Sequence, residues 1–334
     1  MARFLIYGSG LIGCTIGGWL QSGGSDVEYI ARNSRRLSLK NHGIRLSSMH
    51  GTKANIPSDS IRSTESISKA APFDMVLLCV KSTDTARAAA DLGANIPSRT
   101  PIISLQNGLD NVSTLRAALP NNTIVTGMVG FNVVEPTEGN FAIATEGDVY
   151  VDDIPEVDPF SDGLSNGPIT LIRHANMRAV QWGKLMLNLN NGLNALSGLP
   201  LVQQTSDPDW RRLLALCMDE ALKVANSMGE QVAKVGKIDP RFAPKLLRLP
   251  NWLYLRIAGK MLRIDPDARS SMADDLARGR TSEIDHLNGK LCALGRENNI
   301  PTPTNDLVTE KVKELFEARN GIHQQASELL NQLN

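Results

Sequence analysis

The run Phe4-Leu5-Ile6-Tyr7 passes directly into Gly8-Ser9-Gly10-Leu11-Ile12-Gly13, and this junction constrains the fold more than any other part of the chain. An apolar, β-rich run followed by G-x-G-x-x-G at a helix start is the opening of a βαβ unit. The first glycine permits a tight turn and the second lets a pyrophosphate approach the backbone. The third lets helix and strand pack closely, while the helix N-terminus faces the phosphates. Gly8, Ser9, Gly10, Leu11, Ile12 and Gly13 are therefore expected to bind a dinucleotide. These glycines, followed by Gly17 and Gly18, also argue against reading the apolar N-terminus as a signal sequence.

The rest of the first half fits that opening. Phe4 to Tyr7, Val27 to Ala31, Met75 to Val80, Ile102 to Leu105 and Ile124 to Val129 are strand candidates, apolar almost throughout. Strands buried on both faces read this way, which predicts a doubly wound, mostly parallel sheet. Gly43 to Pro57 and Asn140 to Asp152 alternate more and are expected as edge hairpins. From about Gln181 the pattern becomes helical: Trp182 to Leu196, Asp209 to Met228, Met272 to Leu276, Ile284 to Leu294 and Leu307 to Phe316. A chain of 334 residues favours two domains. The Pro- and Gly-bearing segment Asp152 to Ile169 is the expected junction, giving an α/β domain over 1–168 and an all-α domain over 169–334.

Lys plus Arg and Asp plus Glu both number 35, so the formal net charge is zero and neither nucleic acid nor an anionic membrane is indicated as partner. Cys14, Cys79, Cys217 and Cys292 are scattered among apolar residues, as reduced core thiols are. The five histidines show no metal-ligand spacing, so no metal is expected. No apolar run reaches the length of a membrane span, which predicts a cytoplasmic protein acting on a small molecule.

The nicotinamide cofactor is selected at the end of the second strand, where an acidic residue would accept the ribose hydroxyls of NAD. Val27 to Ala31 ends instead in Arg32-Asn33-Ser34-Arg35-Arg36. A guanidinium binds a 2′-phosphate that a carboxylate would repel, so NADPH is favoured, with Arg32 the first candidate and Arg35 and Arg36 open as helpers or solvated helix-start residues.

Two further strand ends place Lys81 and Asn107 where a doubly wound sheet binds ligands, bordering the nicotinamide pocket. In Trp182 to Leu193, Lys184, Asn188 and Asn191 recur at i, i+4, i+7 and form one polar stripe on a helix otherwise rich in Leu and Met. Asn190, Asn191 and Asn194 are poor helix formers for a solvated face, so the stripe reads as a cleft wall. A desolvated lysine there is a tuned proton donor and an oxyanion stabiliser. Gly279 is expected to end one helix and Thr281 or Ser282 to cap the next, Ser282 and Asp285 being spaced as a capping box. Glu283 then falls in a first helical turn, where complementing the helix dipole alone would account for it.

Taken together, Gly8-x-Gly10-x-x-Gly13, Lys81, Gln106-Asn107-Gly108, Trp182-x-Lys184 with Asn188, and Ser271-Met272 followed by Thr281-Ser282-Glu283-Ile284-Asp285 resemble the ketopantoate reductase family over essentially the whole chain. The resemblance implies a Rossmann domain followed by an all-helical domain, with the active site between them. It implies NADPH-dependent reduction of 2-dehydropantoate, or a closely related 2-oxo acid, as in pantothenate biosynthesis. It casts Lys184 as the general acid, Glu283 and Ser271 as substrate-binding groups, Asn107, Asn188 and Lys81 as supports for substrate and nicotinamide, and Arg32 as the 2′-phosphate ligand. A homodimer is compatible with it.

Two departures stand out. Some members carry a second asparagine eight residues after the lysine, where this chain has Gly192, with Asn191 the nearest substitute. Gly163, Gly167 and Pro168 interrupt Phe160 to Ala175, where a longer helix is expected. The alternatives are another two-domain NAD(P)-dependent dehydrogenase, opine-type, polyol-phosphate type or 6-phosphogluconate-like, and a catalytically silent NADP-binding regulator.

Overall fold

The structure is a computed structural model that describes residues 1–67, 72–236, 239–261, 268–318 and 323–333. By contacts the chain divides into two compact units, Met1–Met177 and Arg178–Asn334.

The first unit begins with β1 (Arg3–Tyr7), α1 (Leu11–Ser22), β2 (Asp26–Ile30), α2 (Asn33–His42), β3 (Ile44–Ser47), β4 (Lys53–Ile56), β5 (Arg62–Thr64) and β6 (Met75–Leu78). It continues with α3 (Thr85–Asn95), β7 (Ile102–Ser104), α4 (Asn111–Ala118), β8 (Ile124–Val129) and β9 (Val133–Val134). β10 (Asn140–Ile143), β11 (Val149–Asp152), α5 (Asp158–Leu164) and β12 (Leu171–His174) complete it. Among the described residues the main sheet has eight strands in the order β12-β11-β8-β7-β6-β1-β2-β5. The run from β8 to β5 is parallel, β11 is antiparallel to β8, and β12 is parallel to β11.

Alternation along each parallel strand feeds two cores. Phe4 and Ile6 of β1 pack with Ile16 and Leu20 of α1, and Leu5 and Tyr7 pack on the opposite face with Ala88 and Leu92 of α3 and Leu115 of α4. The five apolar runs singled out in the sequence are the strands β1, β2, β6, β7 and β8. With both faces covered, the sheet is doubly wound.

The expected edge hairpins come out differently. Gly43 to Pro57 does form an antiparallel hairpin of β3 and β4, but in a separate four-stranded sheet ordered β4-β3-β10-β9. Asn140 to Asp152 is no hairpin: β10 joins the small sheet beside β3 and β9, while β11 joins the large one. The chain changes sheets between them, where Gly130 donates to the carbonyl of Asp148 and Gly147 lies so close to Gly130 that a Cβ would collide with it. Alternation marks a strand but not its partner. Between β11 and β12 the chain makes a 3-10 turn at Pro155–Val157 and the seven-residue α5 in place of a longer helix, and Gly163 lets α5 lie against α1, a Cβ there standing 2.6 Å from Leu20 Cδ2.

The second unit is helical among the described residues. It comprises α6 (Met177–Asn188, starting on the last residue of the first unit), α7 (Asn190–Ser197), α8 (Leu201–Ser206), α9 (Pro208–Ser227) and α10 (Ala243–Leu247). α11 (Asn251–Met261), α12 (Ser271–Ala277), α13 (Asn288–Glu297), α14 (Pro303–Ala318) and α15 (Ala326–Asn331) follow. Helix α9 runs through its core, burying Leu213, Ala221 and Val224. The buried guanidinium of Arg211 on α9 donates to the carbonyls of Thr205, Ser206 and Leu247 and to Asn251 Oδ1, and lies 4.2 Å from the Tyr254 ring centroid. The segment Leu246 to Leu262 divides between core and surface: Leu247 and Tyr254 are buried, Trp252 and Leu255 are exposed, and Leu262 lies outside the described residues. No described helix is long and apolar enough to cross a membrane.

Candidate functional site

In the first unit the glycine turn occupies the carboxyl end of β1, between β2 and β6. Gly8 has φ 107°, and a Cβ on it would stand 2.7 Å from the backbone nitrogen of Val80. A Cβ on Gly13 would collide with the carbonyl of Gly8 and stand 3.0 Å from Ile6 Cγ2, so α1 seats on β1 only with glycine there. Around Gly10 the space is open, with nothing within 4 Å of a Cβ position. Gly10 is also the N-cap of α1 and offers no side-chain acceptor to the first N–H groups of the helix, which includes Leu11 and Ile12. An open approach beside uncapped donors at a helix N-terminus suits a pyrophosphate. Ser9 braces the turn from below: its buried hydroxyl donates to the carbonyl of Ile30 at 2.9 Å.

The three arginines after β2 separate by environment. Arg32 is the N-cap of α2, 78% exposed, and pairs with Asp84 Oδ2 at 3.0 Å. Arg35 is committed elsewhere: it makes a two-pronged pair with Glu135 at 2.6 and 2.8 Å and lies over Phe141, 5.4 Å from the ring centroid. The hydrogen bonds to Glu135 hold its pKa above the usual guanidinium value. It is therefore a packed internal residue rather than a solvated helix-start one. Arg36 pairs at the surface with Glu65 at 2.7 Å.

Lys81 and Asn107 sit in the loops after β6 and β7, which a buried polar network joins. Gln106 Nε2 donates to the carbonyl of Val80 (3.1 Å) and to Thr85 Oγ1 (2.7 Å), and Gln106 Oε1 accepts from Ser104 Oγ (3.0 Å). The carbonyl of Asn107 accepts from Ser82 Oγ (2.9 Å) and from Asn111 Nδ2 (2.6 Å). Thr85 Oγ1 donates in turn to Asn111 Oδ1 at 2.7 Å. Each loop is thereby fixed by the other. Ser82, Thr85 and Asn111 carry no motif of their own, and Gln106 stood out only as part of Gln106-Asn107-Gly108.

In the second unit Lys184 lies on α6 between fully buried Trp182 and Met186. Gly183, beside it, admits the backbone of Ala233 against the helix, where a Cβ would collide with the Ala233 carbonyl. Burial pulls the Lys184 ammonium down to about 8, and no charged partner among the described residues offsets that desolvation. Asn188, one turn on, is buried at the end of α6.

The stripe does not lie on one uninterrupted helix, because Leu189 separates α6 from α7 and Asn191 belongs to the second of them. There Asn191 Nδ2 reaches Ser271 Oγ at 3.4 Å. The neighbouring asparagines turn the other way. Asn190 Oδ1 accepts from Gln204 Nε2 at 3.0 Å, while Asn194 donates to Gln204 Oε1 at 3.0 Å and accepts from the backbone N–H of Ser270 at 2.8 Å. They clamp α7 to α8 and to the start of α12, so their helix-breaking chemistry serves internal packing. Ser270 caps α12, accepting from Ala273 N at 3.2 Å.

The helix after Gly279 starts later than the capping box predicts. Ser282 Oγ accepts from the backbone N–H of Ile284 at 3.0 Å, a single 3-10 turn covers Ile284–His286, and α13 begins at Asn288. Asp285 pairs instead with Lys313 at 2.6 Å. Glu283, half-buried, immediately precedes that turn. Gly192, in α7, is closed in: a Cβ there would stand 3.0 Å from Val308 Cγ1 and 3.1 Å from Ile284 Cδ1. The described residues bring Asn191 to Ser271 and Lys81 to Asn107 through their loops, each pair within its own unit. They contain no group of three or more His, Cys, Asp or Glu arranged to hold a metal.

Comparison with known proteins bears on both units. Residues 4–156 match the family model described as ketopantoate reductase PanE/ApbA, and residues 176–316 match that of its C-terminal domain. The 2-dehydropantoate 2-reductase of Halobacterium salinarum is 26% identical over 311 residues, covering 90% of this chain and 94% of that protein. The crystal structure of a PanE/ApbA family ketopantoate reductase from Ralstonia eutropha has a TM-score of 0.79 at 28% identity, covering 95% of this chain and 99% of that one. D-mandelate dehydrogenase, solved as a ternary complex with NADH and anilino(oxo)acetate, shares the fold with a TM-score of 0.75 at 20% identity, over 95% of this chain and 99% of that one. The two family models together span most of the sequence, and the chain is a member of the ketopantoate reductase family, an oxidoreductase with an N-terminal Rossmann-like domain and a helical C-terminal domain.

Proposed function

We propose that this protein reduces 2-dehydropantoate, or a closely related 2-oxo acid, to the 2-hydroxy acid with NADPH, in the cytoplasm and as a step of pantothenate biosynthesis. The observation that carries the reading is the place of Lys184 on α6 between fully buried Trp182 and Met186, where burial draws its ammonium down to about 8, a value suited to a proton donor at neutral pH. The cofactor, when bound, supplies a hydride to the 2-oxo carbon. Lys184 protonates the alkoxide oxygen and stabilises its developing charge. Asn188, Asn191 and Ser271 orient the acid, Glu283 holds a distal hydroxyl, and Lys81 and Asn107 steady substrate and nicotinamide. Gly8 to Gly13 cradle the pyrophosphate and Arg32 takes the 2′-phosphate. The exposed apolar side chains Phe242, Trp252 and Leu255 support assembly as a homodimer.

One observation favours a second reading within the same chemistry. Gly192, crowded by Val308 and Ile284, brings no polar side chain of its own to the far end of the substrate, which suits a 2-oxo acid with an apolar tail. A panel of 2-oxo acids, hydroxylated and apolar, assayed with NADPH and NADH, separates the two. Turnover confined to sugar phosphates or to opine formation overturns both, and binding of NADPH without reduction of any substrate indicates a regulator.

A further inference from the structure

We infer that Asp84 sets the cofactor selectivity of this enzyme by competing with the 2′-phosphate of NADPH for Arg32; this rests on the reading of Arg32 as the phosphate ligand. The second strand ends without the acidic residue that would accept ribose hydroxyls, but the fold supplies one from the turn that follows another strand. Asp84 lies in the 3-10 turn Ser82–Asp84 that follows β6, adjacent in the sheet to β1. Its Oδ2 holds Arg32 at 3.0 Å and its Oδ1 holds Arg87 at 3.1 Å. One carboxylate is therefore shared by two guanidiniums, both largely exposed at 78% and 67%.

The charge balance decides the consequence. An exposed carboxylate–guanidinium pair is weak, so a phosphate dianion displaces Asp84 from Arg32. The displaced carboxylate stays within a few ångströms of the phosphate and repels it, costing NADPH on the order of tenfold in affinity. NADH brings no phosphate, leaves the pair intact and meets a carboxylate able to accept its ribose hydroxyls. Asp84 thus narrows the preference for NADPH and keeps NADH usable. It acts by positioning and by charge.

The test is titration of the full-length protein with NADPH and with NADH, followed by nicotinamide fluorescence, for wild type, Asp84→Asn and Arg32→Ala. Asp84→Asn is expected to tighten NADPH about tenfold and to leave NADH unchanged or weaker; Asp84→Ser must do the same if the asparagine variant fails to fold. Arg32→Ala is expected to weaken NADPH alone. A wild-type ratio of the two dissociation constants in the Asp84 variants overturns the inference and leaves the Arg32 reading standing. Unchanged NADPH binding in Arg32→Ala overturns both. Because binding is read without turnover, a protein that reduces no 2-oxo acid would sink the proposed substrate without touching this result.

Discussion

The side-chain amide nitrogen of Gln106 donates to the hydroxyl of Thr85 over 2.7 Å, a buried contact that ties the loop after β7 to the first residue of α3. Through it the loops carrying Lys81 and Asn107 have one shape. Gln106→Leu fills the same volume but leaves the carbonyl of Val80 and the hydroxyls of Ser104 and Thr85 short of a partner. The expected cost is about 1–3 kcal/mol of stability, seen as a lower melting temperature. NADPH binding should weaken by more than the stability loss explains, since both loops shift, and an unchanged dissociation constant would show that the network does not position the site.

With Lys184 in the proposed role of proton donor, the rate of reduction is expected to depend on pH. With its amine held at about 8, the protonated form needed to donate to an alkoxide is present below that pH and is lost above it. For carbonyl reduction kcat/KM should be flat toward pH 7 and fall about tenfold per unit beyond pH 8, while oxidation of the hydroxy acid rises through the same pH. Lys184→Ala should lose on the order of 10²–10⁴-fold in kcat and still bind NADPH. Stability moves with its own sign. Between the folded value of about 8 and the ordinary 10.5 the unfolded chain holds a proton that the folded one does not, so stability rises with pH across that window. Lys184→Met should be more stable than wild type at pH 7 and should flatten that rise. A pH-independent rate in the wild type would remove Lys184 as the donor.

What the sequence shows and what it hides follow from how local the cause is. The glycine turn is legible because each glycine answers to a contact within the same βαβ unit, such as Gly13 against the carbonyl of Gly8. The strands β1, β2, β6, β7 and β8 are legible because burial on both faces leaves unbroken apolar runs. β5, β9 and β12 carry no such run, with at most one buried residue each, and they exist because a neighbouring strand offers its edge. Asp84 stands 52 positions from Arg32, and nothing in either segment announces the other. The asparagines of α7 show the opposite failure. Their composition marks them as unusual, but periodicity cannot tell a wall facing a ligand from a clamp facing Gln204.

Gly192 turns a departure from the family into a packing question. A Cβ at Gly192 stands 3.0 Å from Val308 Cγ1 and 3.1 Å from Ile284 Cδ1, so asparagine there makes both side chains give way before its amide begins. Gly192→Asn is expected to cost about 1–3 kcal/mol by overpacking and to gain no affinity for a hydroxylated substrate. Val308→Ala in the same chain makes room and should recover part of the melting temperature. If Gly192→Asn alone tightens 2-dehydropantoate with no thermal penalty, the pocket is open at this position and the preference for an apolar tail is wrong.

The packing under Gly192 is anchored by one buried carboxylate. Glu220 on α9 accepts from the backbone N–H groups of Thr304 (2.8 Å) and Asn305 (3.0 Å) in the first turn of α14, and from Asn305 Nδ2 at 2.6 Å. A negative charge at a helix start is favourable, and here it also satisfies donors that the helix itself cannot. Asn305 Oδ1 then accepts from Asn288 Nδ2 at 3.0 Å, so the charge on α9 fixes α14 and, through it, the first residue of α13. Glu220→Gln keeps the shape but turns an N–H group toward donors already waiting there. It should cost about 2 kcal/mol, and Glu220→Ala, which strips the backbone N–H groups of Thr304 and Asn305 of their acceptor and leaves Asn305 Nδ2 only the carbonyl of Cys217, about 3 kcal/mol or more. Chemical denaturation of the two variants reads the difference. A glutamine variant as stable as wild type would mean that hydrogen-bond geometry alone, without the charge, holds the start of α14.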